Sequence, residues 1–432
     1  MKIKISYWVS KCLALIIFAA VSFSCDRGEP VKPNIILIMA DDLGYECLGC
    51  NGGESYKTPF LDNLAASGIR YTSCFSQPLC TPSRVQIMTG KYNNRNYSDF
   101  GILPPGEITF GHLLKEAGYE TAIVGKWQLY GSKTDMRVFG QGTYPLDAGF
   151  EEYCLWQIDQ VGSRYADPLI HWNDSIPKVF QGEYGPDVFY RFIDQYISKE
   201  RENPFFLYYP MVLPHDPHVP TPDSEEWTTN PQLKNDMFFK DMVQYMDKSV
   251  GRIVQRLDEL GIRDSTILIF TGDNGTNRRV ISLADGIEIK GKKGIPCYYG
   301  THVPLIVNAG NLINSGVVKN DLIDFSDILP TICELAGADI SGTETDGSSF
   351  VNTLYGKRGS REWVYCYYDS GKNQFPFSEF IQNSHYKLYE DDKFYNIELD
   401  RAEEYPLEID NLNEDEQNHY LRLKDQLEKI SN

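Results

Sequence analysis

One cysteine of the chain has neighbours that suit a reactive group better than a structural thiol. Cys80 lies in the segment QPLCTPSRVQIMTGKY (residues 77–92), two places before Pro82 and four places before Arg84. The amphipathic run that follows predicts a helix with Cys80 at its N-terminus. Unpaired backbone N–H groups at a helix N-terminus favour developing negative charge, so Cys80 is a candidate for chemistry.

Polar side chains also lie at the carboxyl ends of the apolar runs that predict strands. Asp41 and Asp42 end NIILIMADD (34–42), Lys126 lies in TAIVGKW (121–127), His215 ends PFFLYYPMVLPH (204–215), and Asp273 and Asn274 lie in STILIFTGDNG (265–275). Taken singly, each has an ordinary interpretation as a helix cap, a turn or a surface residue. Because ligands bind beyond the carboxyl ends of parallel strands, we expect these groups to share one rim. Three carboxylates and an amide oxygen suit Ca²⁺, our first choice, or Mg²⁺, rather than zinc.

The elements that must position these residues are those of an α/β fold. Short β-branched runs, among them VPLIVNAG (303–310), alternate with helical patterns such as TPFLDNLAASG and MFFKDMVQYMDKSVGRIVQRLDELG. This alternation predicts a large mixed, mostly parallel sheet flanked by helices. Residues 131–200 have weak periodicity, and we expect an insertion of loops and short elements there that could wall a substrate site.

The pattern changes after Gly356. WVYCYYD, FIQNSHYKLY and KFYNIEL alternate like antiparallel strands, and a helical pattern follows near residues 413–430. We therefore predict a main domain over residues 30–355 and a smaller C-terminal α+β subdomain over residues 356–432, built from an antiparallel sheet plus a helix.

Charge and cysteine content exclude several classes of protein. The 41 Lys and Arg against 60 Asp and Glu give a net charge of -19, which argues against a nucleic-acid partner. Of the 10 cysteines, an odd number remains once Cys12, Cys25 and Cys80 are set apart, so a disulfide scaffold is not expected. Cys47 and Cys50 form a C-x-x-C without the other ligands of a zinc site, which predicts small core residues or one loop disulfide.

The N-terminus has the pattern of an export signal. Lys2, Lys4 and Lys11 precede the apolar stretch CLALIIFAAVSF, which is too short for a spanning helix, and FSCDRGEP follows. This ending resembles a bacterial lipoprotein signal, with residues 1–24 removed and Cys25 left as a lipidated N-terminus. We expect a periplasmic or outer-membrane-anchored bacterial protein whose sole membrane contact is that lipid; simple secretion, with Cys25 free or paired, is the alternative.

Several of these segments together resemble one family. Cys80-Thr81-Pro82-Ser83-Arg84, followed by Thr89-Gly90, is similar to the C-x-P-S-R-x₄-T-G signature of type I, formylglycine-dependent sulfatases. The likeness runs from PNIILIMADDLGY through GKW and TGDNG to GKKG and VPLIV, and so covers nearly the whole mature chain. The resemblance implies the fold of the alkaline-phosphatase-like superfamily and makes residues 30–355 a catalytic sulfatase domain.

The resemblance also implies a nucleophile and a metal site. Cys80 would be oxidised to formylglycine by a maturation enzyme that reads the extended, proline-containing stretch, and its hydrated aldehyde would attack sulfur, with Arg84 helping to hold the negative oxygen. An oxygen of the modified residue 80 would complete the shell of a divalent ion, whose other ligands would be Asp41, Asp42, Asp273 and Asn274.

The remaining roles fall on lysines and a histidine. Lys126 would contact the sulfate, and Lys293 matches the family's second sulfate lysine because Gly294 follows it, with Lys290 as the alternative. His215, in a His-Asp-Pro that resembles the family's His-x-Pro, would contact sulfate and protonate the leaving alcohol. Its neighbour His218 could face the sugar or be a plain loop histidine.

Two positions depart from the family pattern. Gln128, in Gly-Lys-Trp-Gln-Leu-Tyr, stands where the family has a histidine, and an amide cannot accept a proton. We expect Gln128 to orient the diol by hydrogen bonding while water or another side chain takes the proton. His302 replaces an arginine before the final proline of the motif. We interpret both changes as variation within a subgroup.

The sequence thus predicts a sulfatase that hydrolyses sulfate esters of glycans. Trp127, Trp156, Tyr165 and Trp172 are candidates for stacking on sugar faces, with core packing as the alternative for each. Two other functions stay open: a phosphodiesterase or phosphonate monoester hydrolase on the same fold, and an inactive surface lipoprotein that binds sulfated glycans.

Overall fold

The structure, a computed structural model, describes residues 32–133, 135–313, 316–369 and 377–431. The strands are β1 (Asn34–Ala40), β2 (Ile69–Phe75), β3 (Glu120–Lys126), β4 (Glu152–Trp156), β5 (Leu169–Trp172), β6 (Lys178–Val179), β7 (Phe205–Pro210), β8 (Thr266–Gly272), β9 (Ile281–Ala284), β10 (Ile287–Lys290), β11 (His302–Asn308), β12 (Val317–Lys319), β13 (Ile323–Asp324), β14 (Val364–Tyr368), β15 (Ser378–Gln382), β16 (Tyr386–Tyr389) and β17 (Phe394–Asn396). The helices are α1 (Pro59–Ala66), α2 (Cys80–Thr89), α3 (Asn93–Asn96), α4 (Phe110–Glu116), α5 (Gly185–Ile197), α6 (Phe239–Glu259), α7 (Tyr298–Thr301), α8 (Ile328–Ala336), α9 (Val351–Leu354) and α10 (Glu414–Ser431).

An 11-stranded sheet organises the molecule, in the order β12, β2, β11, β8, β1, β7, β3, β4, β5, β6, with β13 also paired to β2. The run from β8 through β1, β7 and β3 to β4 is parallel throughout. Strand β11 is antiparallel to both β8 and β2, so β2 points the same way as β8. The predicted mixed, mostly parallel sheet is confirmed, and the carboxyl ends of β2, β8, β1, β7, β3 and β4 lie along one edge.

The central strands are apolar along their whole length because both faces of the sheet are covered. In β1, Ile36 and Ile38 pack into one hydrophobic cluster together with α1, α5 and α6. Their neighbours Ile35 and Leu37 pack into a second cluster with α2, α4 and α8. The period-2 alternation of a strand thus supplies two cores, one on each side of the sheet.

The insertion over residues 131–200 is more regular than we expected. Strands β4, β5 and β6 extend the main sheet, and α5 covers one of its faces with apolar side chains such as Val188, Phe192 and Ile193. The strands are short, from two to five residues, and so show too little alternation to be recognised in the sequence. Residues around Arg164, between β4 and β5, remain a loop.

The C-terminal region has the predicted antiparallel sheet plus helix. Strands β14 to β17 pair in chain order, and α10 packs Tyr420, Leu423 and Leu427 against them. Residues Pro33–Asn432 form one compact unit by their contacts, so the boundary at residue 356 stays a prediction. The signal segment and Cys25 lie outside the described residues. Within the described ranges, no helix combines the length and the apolar character that a membrane crossing requires.

Candidate active site

The edge formed by the carboxyl ends of the strands gathers most of the predicted site residues. Lys126 is the last residue of β3, and Asp41 and Asp273 directly follow β1 and β8. The pairing of Ala40 with Gly272 sets these two carboxylates side by side. Cys80 reaches the same edge because β2 runs parallel to β8 and leads into α2.

The turn after β1 is built from backbone contacts to the neighbouring strand ends. The Asp41 N–H donates to the Leu213 carbonyl at 2.8 Å, and the Asp42 N–H donates to Asp273 Oδ1 at 2.8 Å. Asp42 has a φ of 68°, a left-handed conformation that aspartate enters more readily than most side chains. Both carboxylates are buried at this edge of the sheet.

Helix α2 begins at Cys80, as predicted, but it is not amphipathic. All of its residues are buried, including Gln86, whose side chain donates to Asp324 at 2.7 Å. Gln77 donates to Gln86 Oε1 at 2.7 Å and to the Tyr365 carbonyl at 3.3 Å, which connects the helix to the C-terminal sheet. The polar face that the sequence suggested is therefore covered by tertiary contacts and not by solvent.

The site contains two overlapping groups of possible metal ligands. Within each group, the ligand atoms lie within 4.8 Å of one another. One consists of Asp41, Cys80 and Asp273, and the other of Asp41, Asp42 and His215. Asn274 Nδ2 donates to Asp42 Oδ1 at 2.9 Å, which adds the amide to the cluster. The predicted metal ligands of three separate chain segments are thus brought together, with His215 of a fourth segment beside them.

The charges in this cluster are only partly balanced. Lys126 Nζ donates to both Asp41 oxygens, at 2.8 and 2.9 Å, and Lys293 Nζ donates to Asp42 Oδ2 at 2.5 Å. Asp273 makes no ion pair within the described ranges, although its side chain is 1 % exposed. Burial, together with the charges of Asp41 and Asp42, raises the pKa of Asp273 well above its usual range. The Asp273 carboxylate therefore has no positively charged side chain paired with it among the described residues.

A divalent cation fits this arrangement. The donors are carboxylate oxygens, which hard cations prefer. Asn274 Oδ1 is buried without a hydrogen-bond partner among the described residues, so a ligand atom is left unused. Burial raises the pKa of Asp42 as well, whereas neighbouring positive charge, including that of Lys126 and Lys293, outweighs the burial of Asp41 and lowers its pKa. An added positive charge would allow all three carboxylates to ionise together.

His215 and Lys293 form a hydrogen-bonded pair at the mouth of the cluster. His215 Nδ1 lies 2.5 Å from the Asp216 carbonyl, so this nitrogen carries the proton and Nε2 accepts from Lys293 Nζ at 2.9 Å. Burial lowers the pKa of His215 well below its usual range. Lys290, the alternative to Lys293, is exposed at the end of β10 and takes no part in these contacts.

Cys80 and Arg84 have specific surroundings of their own. Burial raises the pKa of the Cys80 thiol, although Lys126 opposes the shift, so the unmodified side chain is a poor nucleophile. Arg84 is 1 % exposed, and its Nη2 donates to the Lys126 carbonyl while Nε has no partner among the described residues. Arg84 thus has a free donor one helical turn after Cys80.

The two residues that depart from the family pattern have different surroundings. Gln128 has a φ of 48° and lines a cavity of about 220 Å³ with Asp99, Gly101 and Gln157, and its hydrogen bond to the diol stays a prediction. His302 is a core residue: it stacks on Tyr45 at 4.2 Å between ring centroids, and burial lowers its pKa to about 3. It does not supply the charge of the arginine that it replaces.

Two family models match this chain. The sulfatase family model matches residues 33–338, and the model of the C-terminal region of N-sulphoglucosamine sulphohydrolase matches residues 298–432. The chain belongs to the sulfatase family. This sulfatase is therefore a sulfuric ester hydrolase, as predicted.

Relatives of the sulfatase include mouse steryl-sulfatase, which is 28% identical over 78% of this chain and 68% of its own length. Human arylsulfatase A is 28% identical over 78% of this chain and 71% of its own length. A crystal structure of Ps i-CgsB in complex with k-i-k-neocarrahexaose has a TM-score of 0.73 at 24% identity, with 93% of each chain covered. These similarities support the family and the fold.

Two further structures share the fold. One, solved with its substrate D-glucosamine-2-N,6-O-disulfate, has a TM-score of 0.73 at 20% identity and covers 92% of the sulfatase and 97% of its own chain. The other, phosphonate monoester hydrolase of Agrobacterium radiobacter, has a TM-score of 0.69 at 18% identity, covering 93% and 96%. At these identities the likeness carries the fold alone.

The aromatic residues considered for sugar stacking belong mostly to the core of the sulfatase. Trp127, Trp156 and Tyr165 are 0, 2 and 3% exposed, and the half-buried Trp172 packs on Phe192. Their burial leaves too little ring surface for a sugar. Core packing, the alternative, describes these residues correctly.

Burial also decides between the alternatives for His218 and for the pair Cys47 and Cys50. His218 is buried, with Nδ1 2.7 Å from Asp236 Oδ1, and so acts as a loop histidine. The eight cysteines of the described ranges are free, and Cys47 contacts Thr276 Oγ1 at 3.3 Å. Cys47 is therefore a small core residue, and Cys50 is half-buried beside it without a disulfide.

Sequence reasoning missed Arg164 and considered Tyr165 for sugar stacking alone. Tyr165 donates its hydroxyl to the Val212 carbonyl at 2.7 Å and to the His215 carbonyl, which holds the loop that carries His215. Arg164 Nη1 lies 3.7 Å from Asp41 Oδ2. Neither belongs to a recognised motif; their position in the aromatic-rich insertion was the one available signal.

Proposed function

We propose that the sulfatase removes sulfate from glycans at this site, with residue 80 as the nucleophile after oxidation of Cys80 to formylglycine. The observation that carries the proposal is the cluster of Cys80 Sγ with the carboxylates of Asp41 and Asp273, all within 4.8 Å, beside the buried cation of Lys126. The raised pKa of the thiol supports oxidation, because cysteine itself would be a weak nucleophile here.

Maturation is proposed to precede folding of this segment. Cys80 is 2% exposed and lies at the start of a helix that is buried throughout. An enzyme that oxidises it needs an extended chain, which the Pro82-containing stretch offers before α2 is formed. The partner is accordingly a formylglycine-generating enzyme acting on the unfolded chain.

The proposed metal ion is Ca²⁺, with Mg²⁺ as the alternative. The ligands would be residue 80, Asp41, Asp42, Asp273 and Asn274. When bound, such an ion neutralises sulfate oxygens and lowers the pKa of an oxygen nucleophile. The uncompensated charge of Asp273 and the unused oxygen of Asn274 support this assignment.

The side chains around the cluster would bind the sulfate group and deliver a proton. Lys126 and Lys293 supply positive charge where the chain as a whole is strongly negative, which suits an anionic substrate. His215 accepts a hydrogen bond from Lys293 at Nε2, so this pair can hold a proton for the leaving alcohol. Arg84 has a free donor that can support a negative oxygen on residue 80.

A glycan substrate and an exported location complete the proposal. Two proteins with this fold were solved with a neocarrahexaose and with a disulfated glucosamine, and the N-terminal segment resembles a bacterial lipoprotein signal. We infer a periplasmic or outer-membrane-anchored enzyme, bound to the membrane through lipid at Cys25, that acts on sulfated carbohydrate.

The proposal is tested by sulfate release from a panel of regiospecifically sulfated sugars, after co-expression with a formylglycine-generating enzyme. We expect Cys80→Ala to reduce release to background while the melting temperature is retained. Cys333→Ala, which removes a buried thiol on α8, is the matched control and should keep its activity. Release that survives Cys80→Ala would contradict the role of residue 80.

A second candidate, phosphonate monoester hydrolysis, is favoured by the fold shared with the Agrobacterium enzyme. Lysines and an oxygen-ligated metal ion also suit phosphoryl groups. Rates on paired sulfate and phosphonate esters of the same alcohol distinguish the two. A higher kcat/KM on the phosphonate would favour this candidate over the sulfatase proposal.

A further inference from the structure

A cavity of about 290 Å³ lies next to the catalytic cluster and, apart from Pro217 of the His-Asp-Pro segment, is lined by residues outside the family motifs. Its lining includes Trp156, Arg164, Tyr165, Pro217 and Lys234. Its volume is near the lower end of the roughly 300–1,000 Å³ of small-molecule pockets, enough for a group of sugar size. The chemistry of this lining determines what it can bind.

The walls of the cavity contact the catalytic residues directly. Tyr165 donates to the backbone carbonyl of His215, and Pro217 follows His215 by two residues. Arg164 Nη1 lies 3.7 Å from Asp41 Oδ2, the oxygen that also accepts from Lys126 at 2.8 Å. Arg164 and Tyr165 therefore form a wall that the cavity shares with the catalytic cluster.

Arg164 is held in place but keeps unused donors. Its guanidinium carbon lies 3.9 Å from the centroid of the Trp156 ring, a cation–π contact that fixes the plane of the group. The 3.7 Å separation from Asp41 is too long for a hydrogen bond. Nη1 is buried and has no hydrogen-bond partner among the described residues. A buried charged donor without a partner is costly, so a ligand acceptor would be stabilising here.

The cavity is also positively charged in a protein of net charge -19. Of the described residues that line it, Arg164 and Lys234 carry charge and none is acidic. Lys234 is exposed, and the next residue in the chain, Asn235, is held by an N–H donated to the His218 carbonyl at 3.0 Å. The buried His218 also contacts the exposed Asp236 of the same loop, with Nδ1 2.7 Å from Oδ1. Lys234 thus sits on a tethered loop at the cavity.

We propose that Arg164, with Lys234 at the rim, binds a second anionic group of the substrate, a sulfate or a carboxylate on the same sugar or the next one. This inference rests on the proposed glycan sulfatase function and narrows its substrates to glycans with at least two negative groups. Arginine suits this task because its planar fork matches both kinds of oxyanion. Arg164 is then a specificity-determining residue outside the family motifs.

The test compares kcat/KM for three probes: a monosulfated N-acetylglucosamine, the same sugar with a second sulfate, and the same sugar linked to glucuronic acid. We expect the second anion to raise kcat/KM. Arg164→Met should lower the ratio of dianionic to monosulfated kcat/KM about 10- to 100-fold, the effect of one hydrogen bond between charged groups. If Arg164→Met removes the gain in kcat/KM of the disulfated sugar, the ligand of Arg164 is a sulfate. If it removes the gain of the sugar linked to glucuronic acid, the ligand is a carboxylate.

Lys234→Gln keeps the test valid if Arg164→Met fails to fold, because Lys234 is exposed. Lys234→Gln should lower the ratio of dianionic to monosulfated kcat/KM about two- to fivefold, the effect of losing one exposed ion pair. Lys429→Gln, on α10 outside the cavity, controls for the lost charge. An equal loss on all three probes would assign Arg164 to the scissile sulfate and overturn the proposal, as would an unchanged ratio in both variants. Absence of turnover on every probe, by enzyme that carries formylglycine at residue 80, would instead count against the proposed glycan sulfatase function.

Discussion

At the scale of single residues, the site works through side chains that are buried and held by more than one contact. Lys126 is 1% exposed and contacts both oxygens of Asp41, and its backbone carbonyl accepts from Arg84. Lys293 contacts both Asp42 and His215. Buried charges are tolerated when each has such partners, and the geometry that results is rigid enough to orient a sulfate ester.

The proton-transfer role of His215 predicts a dependence on the leaving group. We expect His215→Gln to lower kcat/KM on a sugar sulfate by about 10²- to 10⁴-fold, the usual contribution of a general acid. The loss on 4-nitrophenyl sulfate should be at least tenfold smaller, because nitrophenolate leaves without a proton. The control is His385→Gln, which replaces an exposed histidine between β15 and β16. Equal losses on both substrates would rule out proton donation by His215.

At the scale of elements, one helix is held by a carboxylate from another. Asp247 of α6 accepts from the Leu61 N–H at 2.8 Å and the Phe60 N–H at 3.1 Å, the free donors in the first turn of α1. Asp247 is 2% exposed, and burial raises its pKa to about 6 despite these hydrogen bonds. The two helices are thereby joined on the face of the sheet that carries Ile36 and Ile38.

This contact predicts a pH-dependent stability. The folded pKa of Asp247, about 6, lies above the unfolded value of 3.8, so the folded state binds the proton more tightly. The stability linked to this proton is complete below about pH 4 and is lost as the pH rises through 6. In urea unfolding, the free energy of unfolding of the wild type should therefore fall by up to about 3 kcal/mol between pH 4 and pH 7, relative to that of Asp247→Asn.

Asp258→Asn, on the exposed side of the same helix, controls for the removal of one negative charge from the chain. A difference between wild type and Asp247→Asn that stays constant over this pH range would show that Asp247 is ionised throughout.

At the scale of the whole molecule, the active-site charges couple metal binding to folding. Segments after β1, β7, β8 and β10, together with the start of α2, all contribute to the cluster, so it exists in the folded chain alone. Asp273 lacks an ion pair within the described ranges, and its burial in that state is unfavourable. A bound cation that removes this cost stabilises the whole fold.

Calcium should therefore raise the melting temperature. At a concentration 100 times Kd, binding adds about 2.7 kcal/mol to the free energy of unfolding. We expect Asp273→Asn to melt higher than wild type in EDTA, because it lacks the unpaired carboxylate, and to lose the calcium-dependent shift. Differential scanning calorimetry with and without Ca²⁺, at constant ionic strength, measures both. A full calcium shift in Asp273→Asn would remove this residue from the metal site.

The sequence alone determined the α/β class, the strand ends and the residues of the cluster, because each of these follows from local periodicity and from motif spacing. It could not show that β11 runs antiparallel to β8, that α2 is buried on every side, or that Trp127 and Tyr165 belong to the core. Those features depend on which distant segments pack together, and a local pattern carries no information about its partner. Arg164 is the clearest case: it belongs to no motif, and folding alone sets it between Trp156 and Asp41.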